Sequence, residues 1–346
     1  MERAKKLFTI NDIRCVAIAL TDTCNMRCSY CPHSLPDAFP KRIREAHFPH
    51  DLYLKILDYL PNLSGLEYVD LTEFNEFFLT PELATFYLPA LKERNVDYMI
   101  ATNGSIYPDN ISYYATHNPK CLIVGLQTIT EKQYHDTLRI KCLSFDNYIE
   151  RVSKLVRYFY NHCKDTLISI EVSYNASIIL NKVIGRSYNK EIASLKEQRS
   201  NIRSLIRLIS QKTGIELYEG ESACRRNINQ LILAHSSDDR IIFGGKRFVD
   251  LVNFYNRKLT NDSPVCFSET TVFMMNGDIK ACCTDYKNMT VFANIIGTSM
   301  KDIFQRFVSL VNTMRTRGAP FECCKHCLGY ETYREKYAKA VHSFIK

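Results

Sequence analysis

The feature that most constrains this chain is its order of short apolar runs and longer amphipathic stretches. Val16–Leu20, Leu66–Leu71, Tyr98–Ala101, Leu122–Leu126, Leu167–Ser173 and Ile215–Tyr218 each read as a strand. Helical patterns lie between them. Leu52, Ile56, Leu57 and Leu60 recur at helical spacing. Thr80-Pro81 suits a helix start, and Pro89 should kink or end that helix. Ser144 should cap a helix that buries Ile149, Val152, Val156 and Phe159, and a further helical pattern runs from Asn189 to Lys212. Strands alternating with helices imply parallel pairing through right-handed crossovers. Six such units fall short of a closed eight-stranded barrel. The expected fold is therefore α/β, an open partial (β/α)6 TIM-type barrel with its chemistry at the carboxyl ends of the strands.

The pattern changes near Asn261. Thr271–Met275 and Ile279–Cys282 flank Asn276-Gly277, a strong hairpin turn signal. Ser299 then opens an amphipathic helix bearing Ile303, Phe304, Phe307 and Leu310, and a Cys-rich loop follows from Cys323 to Cys327. The expected plan is an N-terminal segment (1–15), the barrel (16–235), a linker or helical connection (236–260), a small hairpin-plus-helix module (261–330) and a C-terminal helix (331–346).

Composition narrows the function. Apolar content of 46% and charged content of 24% fit a folded enzyme-sized chain. No run of eighteen apolar residues predicts a membrane span, and Met1–Phe8 is not followed by an apolar signal region. The net charge of +8 is spread along the chain, which disfavours a nucleic-acid partner. The fourteen cysteines are the informative residues, because many of them fall in two short regions. Clustered thiols read as metal or cluster ligands rather than as a disulfide framework, and they imply a reducing, cytoplasmic setting.

The first region reads Thr23-Cys24-Asn25-Met26-Arg27-Cys28-Ser29-Tyr30-Cys31-Pro32, directly after the first strand. Three thiolates on one tight loop can each bind a different iron of a cubane cluster and leave the fourth iron open. The alternative is a zinc knuckle, which needs a fourth ligand such as His33. The Cys-x3-Cys-x2-Cys spacing, with aromatic Tyr30 before the last Cys, resembles the signature of the radical S-adenosylmethionine (SAM) superfamily. The resemblance implies a 4Fe–4S cluster on Cys24, Cys28 and Cys31 and SAM as cofactor. It also implies a 5′-deoxyadenosyl radical that abstracts hydrogen from substrate.

That resemblance carries over to further positions. Glu73-Phe74-Asn75-Glu76-Phe77 stands where the family has a Gly-Gly-Glu-Pro-like stretch against the SAM amino group; Glu76 matches, while the glycines and proline do not. Thr102-Asn103-Gly104 resembles the turn after the family's third strand. Gly125-Leu126-Gln127 replaces a Ser-x-Asp-Gly stretch, and Arg139 fits the Arg that meets the SAM carboxylate. Tyr30, Glu76, Asn103, Gln127 and Arg139 are thus the expected cofactor contacts. Cys224, in Cys224-Arg225-Arg226, is a candidate hydrogen-atom donor, with a buried structural thiol as the plainer reading.

The second region resembles the SPASM module, or its shorter Twitch form. Cys266, Cys282, Cys324 and Cys327 match an auxiliary 4Fe–4S site, with Gly277 at the spacing that selects Cys282 over Cys283, and the Cys-x2-Cys selecting Cys324 over Cys323. No Cys follows Cys327, so one auxiliary cluster is expected rather than two. The same four thiolates would also suit a structural zinc. About fifteen residues precede the first strand, which points away from a leader-binding domain and toward a small, sugar-like molecule or a short peptide as substrate. An electron donor such as flavodoxin or ferredoxin is implied. The alternatives are an RNA-modifying radical SAM enzyme and a zinc-stabilised, non-enzymatic interaction protein.

Overall fold

The computed structural model describes residues 7–35, 47–139, 143–173, 195–220, 231–246 and 269–326. Cys224, Cys266, Cys327, the start of the 189–212 pattern and the expected C-terminal helix lie outside these residues. Eleven described strands form one sheet, in the order β11-β10-β9-β1-β2-β3-β4-β5-β8-β7-β6. Its centre is β1 (Cys15–Ile18), β2 (Tyr68–Asp70), β3 (Tyr98–Thr102), β4 (Cys121–Gly125) and β5 (Leu167–Ser173). These five pair in parallel and in sequence order. The sheet does not close: β11 and β6 are its two ends. This is the expected open α/β architecture.

The connecting helices are α1 (His50–Tyr59), α2 (Glu82–Glu93), α3 (Ile111–Thr116), α4 (Glu131–Gln133), α5 (Phe145–His162) and α6 (Leu195–Thr213). Their apolar faces and one face of the sheet share a single core. Val69, Ile100, Leu122 and Val124 from the strands are buried with Ile56, Leu88, Ile149, Val152 and Phe159 from the helices. Alternation along the strands leaves Cys15, Tyr68, Asp70, Met99, Cys121 and Ile123 on the opposite, less buried face.

Local chemistry explains some helix ends. Ser144 Oγ accepts from the Asn147 N–H at 3.3 Å, as its cap position requires. Thr80 is not a cap; α2 starts at Glu82. Pro89 lies inside α2 and does not end it. Proline lacks the N–H that a helix interior uses, so this helix tolerates one missing bond, to the Thr85 carbonyl.

Two strand assignments differ from expectation. Ile215–Tyr218 is not the sixth parallel strand. Its strand, β6 (Leu217–Glu219), pairs antiparallel with β7 (Leu231–Ser236) at the sheet edge. The strand that lies parallel to β5 is β8 (Ile241–Lys246). It begins within the stretch expected to be a linker. The β7–β8 hairpin turns at Asp238-Asp239, and Ser236 Oγ donates to Asp238 at 2.6 Å. That turn carries no Asn-Gly or Asp-Gly signal, which is why an apolar run after a helix passed for the barrel strand.

The C-terminal hairpin joins the same sheet. β9 (Thr271–Phe273) pairs parallel with β1, and β10 (Asp278–Lys280) turns back antiparallel onto β9. Gly277 has φ +84, the left-handed conformation that this tight turn requires. β11 (Val291–Asn294) completes the edge, and α7 (Met300–Thr316) follows, capped by Ser299 Oγ accepting from Asp302 N–H at 3.1 Å. Ile303, Phe304 and Phe307 are buried, and Leu310 is half-buried. No helix among the described residues is long and apolar enough to cross a membrane.

Candidate cluster and cofactor site

Parallel pairing puts the segments that follow β1, β2, β3 and β4 at one end of the sheet. The Cys24–Cys31 loop follows β1, Glu73–Glu76 follows β2, Asn103 follows β3 and Gln127 follows β4. Hydrogen bonds then stitch these segments together. Glu76 N–H donates to Thr23 C=O at 2.8 Å. Asn25 Nδ2 donates to Ser105 Oγ at 2.8 Å, and Ser29 N–H donates to Thr137 C=O at 2.8 Å. His33 Nε2 contacts the Phe74 carbonyl. The loop is thus held from three sides by strands that are far apart in sequence.

Asn103 is the centre of this lattice. Its N–H donates to Glu76 Oε2 at 2.6 Å. Its Nδ2 donates to Asn25 Oδ1 at 3.0 Å and lies 3.9 Å from Cys24 Sγ. Its carbonyl accepts from the Tyr148 hydroxyl at 2.7 Å. Gly104 follows with φ +72, and a Cβ there would come 2.6 Å from a Val152 methyl. The Thr-Asn-Gly turn is therefore required by close packing as well as by backbone conformation.

Glu76 is buried, at 1% exposure. Oε1 accepts from Thr102 Oγ1 at 2.6 Å and from Phe78 N–H at 3.2 Å, in addition to the Asn103 bond to Oε2. Its carboxylate braces the loops after β2 and β3, and a carboxylate has about four acceptor sites, so one remains. Burial raises its pKa to about 7, against the three hydrogen bonds that lower it. A raised folded-state value means the folded chain holds a proton that the unfolded chain has released. Its stabilising share is full below about pH 4.3 and is lost as pH rises through about 7. Glu76→Gln should remove this pH dependence. It should also cost about 1–3 kcal/mol, because the amide NH2 then meets the Asn103 N–H donor. Urea melts at pH 5 and pH 8 check both: the midpoint of the variant should shift less between them.

The three thiols form one electrostatic unit. Burial, then the negative charge of Glu76, pushes the Cys24 thiol up to about 12, with Cys31 adding to the rise. Burial, Cys31 and Cys24 push Cys28 up as well, against a Tyr30 hydrogen bond that lowers it. Thiolates packed this way need a counter-charge that Arg27 alone does not supply. Arg27 is engaged with the Cys24 and Met26 carbonyls at 2.9 and 2.8 Å. A buried set of mutually repelling sulfur ligands beside one guanidinium fits an iron–sulfur cluster, which neutralises them. Among the described residues, no three Cys, His, Asp or Glu side chains are arranged to hold a single metal ion. A cubane makes a different demand, one thiolate per iron.

The other expected contacts fall around this loop. Tyr30 is buried, at 7% exposure. Arg139 is exposed in a left-handed conformation at φ 56, just after a π-helical turn, Tyr134–Leu138, that continues α4. The Thr137–Ser29 bond sets that turn against the Cys loop. π-Helical turns often mark functional sites. Gln127 is also left-handed, at φ 60, and its buried Oε1 has no hydrogen-bond partner. Both polar atoms of Asn75 are likewise buried without a partner. Asn75, Thr23 and Ser105 were not expected as site-building residues, and His33, named only as an alternative zinc ligand, contacts the Phe74 carbonyl. Only His33 carried a usable signal, as a histidine two residues after the last cysteine.

The structure also places part of the second cysteine set. Cys282 follows β10, and its Sγ is 3.0 Å from Thr284 Oγ1. Cys283 is within electrostatic range of Cys15 on β1. Cys323 and Cys324 lie on a short 3-10 helix, Glu322–His326. A hydrogen bond from Cys324 lowers the Cys323 pKa, against burial and the negative charge of Asp285, which raise it. The turn after β10 and the short helix are therefore neighbours, as a shared ligand set requires. Cys266 and Cys327 are not among the described residues.

Residues 18–172 match the Radical SAM superfamily. This chain carries a radical SAM domain. The match spans β1 to β5, and so includes the cysteine loop and the carboxyl ends of the central strands. No curated protein matches the chain. Solved structures are similar in fold, two of them at a TM-score of 0.51. Streptococcus suis SuiB bound to precursor peptide SuiA has a TM-score of 0.51 and 15% identity, over 91% of this chain and 71% of that one. Native anSMEcpe with bound AdoMet has a TM-score of 0.51 and 13% identity, over 96% of this chain and 98% of that one. Both likenesses extend beyond the radical SAM domain into the C-terminal hairpin and helix.

Proposed function

We propose that this protein is a radical SAM enzyme with a second, C-terminal iron–sulfur cluster, acting on a short peptide or a small, sugar-like molecule. The observation that carries the reading is the cysteine loop, pinned at the carboxyl ends of β1 to β3 by the Glu76–Asn103–Cys24 lattice. With cluster and SAM bound, the cofactors would supply one-electron cleavage of the sulfonium bond and hydrogen abstraction by the 5′-deoxyadenosyl radical. The chain's own residues do the rest. Cys24, Cys28 and Cys31 would hold three irons of the cluster. Glu76 and Asn103 fix the loop. Asn75 offers an unpaired carboxamide and Gln127 an unpaired carboxamide oxygen at the strand ends, and Arg139 offers a guanidinium suited to a carboxylate. Cys266, Cys282, Cys324 and Cys327 would hold the second cluster, and Cys224 is a candidate hydrogen donor.

The peptide option draws support from the fold similarity to SuiB, whose solved structure contains a precursor peptide. A cytoplasmic location and a flavodoxin- or ferredoxin-type electron donor follow from the need to keep thiols and clusters reduced. Anaerobic reconstitution with a reductant and SAM tests the reading. About eight iron atoms per chain and 5′-deoxyadenosine in the mass spectrum are expected. Fully loaded protein that yields no 5′-deoxyadenosine, or about two zinc ions with no iron, overturns it.

A further inference from the structure

Lys280 on β10 lies between Ile279 and Ala281, and its side chain is buried, at 1% exposure. Its ammonium pairs with Glu73 at 2.7 Å and donates to the Asp285 carbonyl at 2.8 Å. It also lies 5.1 Å from the centre of the Phe74 ring. These partners come from the turn that carries Cys282 and from a loop that packs against the first cysteine segment. Asp285 closes the turn that begins at Cys282, its N–H donating to the Cys282 carbonyl at 3.3 Å. Glu73 and Phe74 belong to the loop after β2. That loop meets Thr23 and His33, which flank the Cys24–Cys31 segment.

The surroundings define the electrostatics. Glu73 is buried with Lys280, at 6% side-chain exposure. The Asp285 carboxylate is buried and accepts from Lys287 N–H at 3.2 Å, Thr290 N–H at 2.6 Å and Thr290 Oγ1 at 2.9 Å. One buried cation thus pairs with the Glu73 carboxylate, and the Asp285 carboxylate is within electrostatic range of Glu73. A plain hydrophobic contact would join these loops at lower desolvation cost. What the ion pair adds is a charge at a defined place.

We infer that Lys280 and Glu73 are an electrostatic positioning pair: they tie the C-terminal cysteine turn to the loop beside the first cysteine set and set the reduction potential of an iron–sulfur cluster on the C-terminal cysteines. The inference rests on the two-cluster reading above. Cluster potentials respond to nearby charge and hydrogen bonds. A reduced cluster carries one more negative charge. Lys280 therefore favours reduction and Glu73 opposes it. Removing either partner loosens the same contact, but the two removals change the charge in opposite directions. A purely structural role gives shifts of one sign, or none.

The test is potentiometric titration of the reconstituted full chain, read by EPR, with iron counted per chain. The C-terminal cluster is assigned as the signal missing from Cys282→Ala/Cys283→Ala protein. At a fixed potential, Lys280→Met should lower its reduced-to-oxidised ratio roughly tenfold, and Glu73→Gln should raise it by a similar factor. If Lys280→Met does not fold, Glu73→Gln decides alone: a rise supports the inference, and no rise overturns it. With about eight irons per chain, same-sign or absent shifts overturn the inference and leave the two-cluster reading standing. About four irons per wild-type chain overturn both.

Discussion

Cys28→Ala protein should bind about four fewer iron atoms per chain than the wild type and form no 5′-deoxyadenosine above background. The thiol is buried, at 8% exposure, and sits in electrostatic contact with Cys24 and Cys31. The remaining two thiolates leave two irons of a cubane without protein ligands. Alanine fills a cysteine-sized space with little strain, so the fold should survive the change. Iron analysis, mass spectrometry of SAM incubations and circular dichroism together check this. A variant that keeps its full iron and still cleaves SAM would remove the basis for the proposed chemistry. The C-terminal signal should persist in this variant, because its ligands come from a different segment.

The second large effect is on stability. Lys280→Met should destabilise the fold by about 3–5 kcal/mol, the usual consequence of breaking a buried ion pair from one side. It leaves Glu73 buried without its partner at 2.7 Å and leaves the Asp285 carbonyl without its donor at 2.8 Å. Burial already raises the Glu73 pKa to about 7, against the Lys280 charge that lowers it. The variant should therefore suffer most above pH 7, where Glu73 would have to ionise beside no cation. Replacing both members, as Lys280→Met with Glu73→Leu, should recover much of the loss, because no buried charge then remains. Denaturant melts of the single and double variants measure this directly. Equal destabilisation of both would mean that packing, not charge, governs the contact.

The central fold was legible because parallel strands between helices are nearly continuous apolar runs. β3, β4 and β5 fall within a residue or two of their expected bounds, and the Asn276-Gly277 turn lies where its chemistry demands. The far edge was not legible. Leu217–Glu219 and Ile241–Lys246 are both short β-prone segments. Nothing local says which of them pairs with β5; pairing is decided by the long-range burial of Ile242 and Phe243. The same limit hid the union of the C-terminal hairpin with the barrel. It depends on the β1–β9 register, Val16 to Thr271 through Ile18 to Phe273.

The candidate site residues divide in the same way. The Cys24–Cys31 spacing is covalent and local, so it could be read directly. Glu76 could be placed by its position after a strand, but its three donors come from Phe78, Thr102 and Asn103. Lys280 reads as an ordinary surface charge in a strand until the hairpin packs against the loop after β2. Its partner is more than two hundred positions away in the chain.

By itself, the sequence determined the strand–helix alternation, the cysteine spacing of the first loop and the turn at Gly277. Each follows from periodicity, covalent spacing or a single backbone preference. Only the tertiary structure decided which strand neighbours β5, how the hairpin extends the sheet through β1, and which buried charge stands between the two cysteine sets. Those outcomes depend on burial and charge shared between residues distant along the chain, and no local pattern records them.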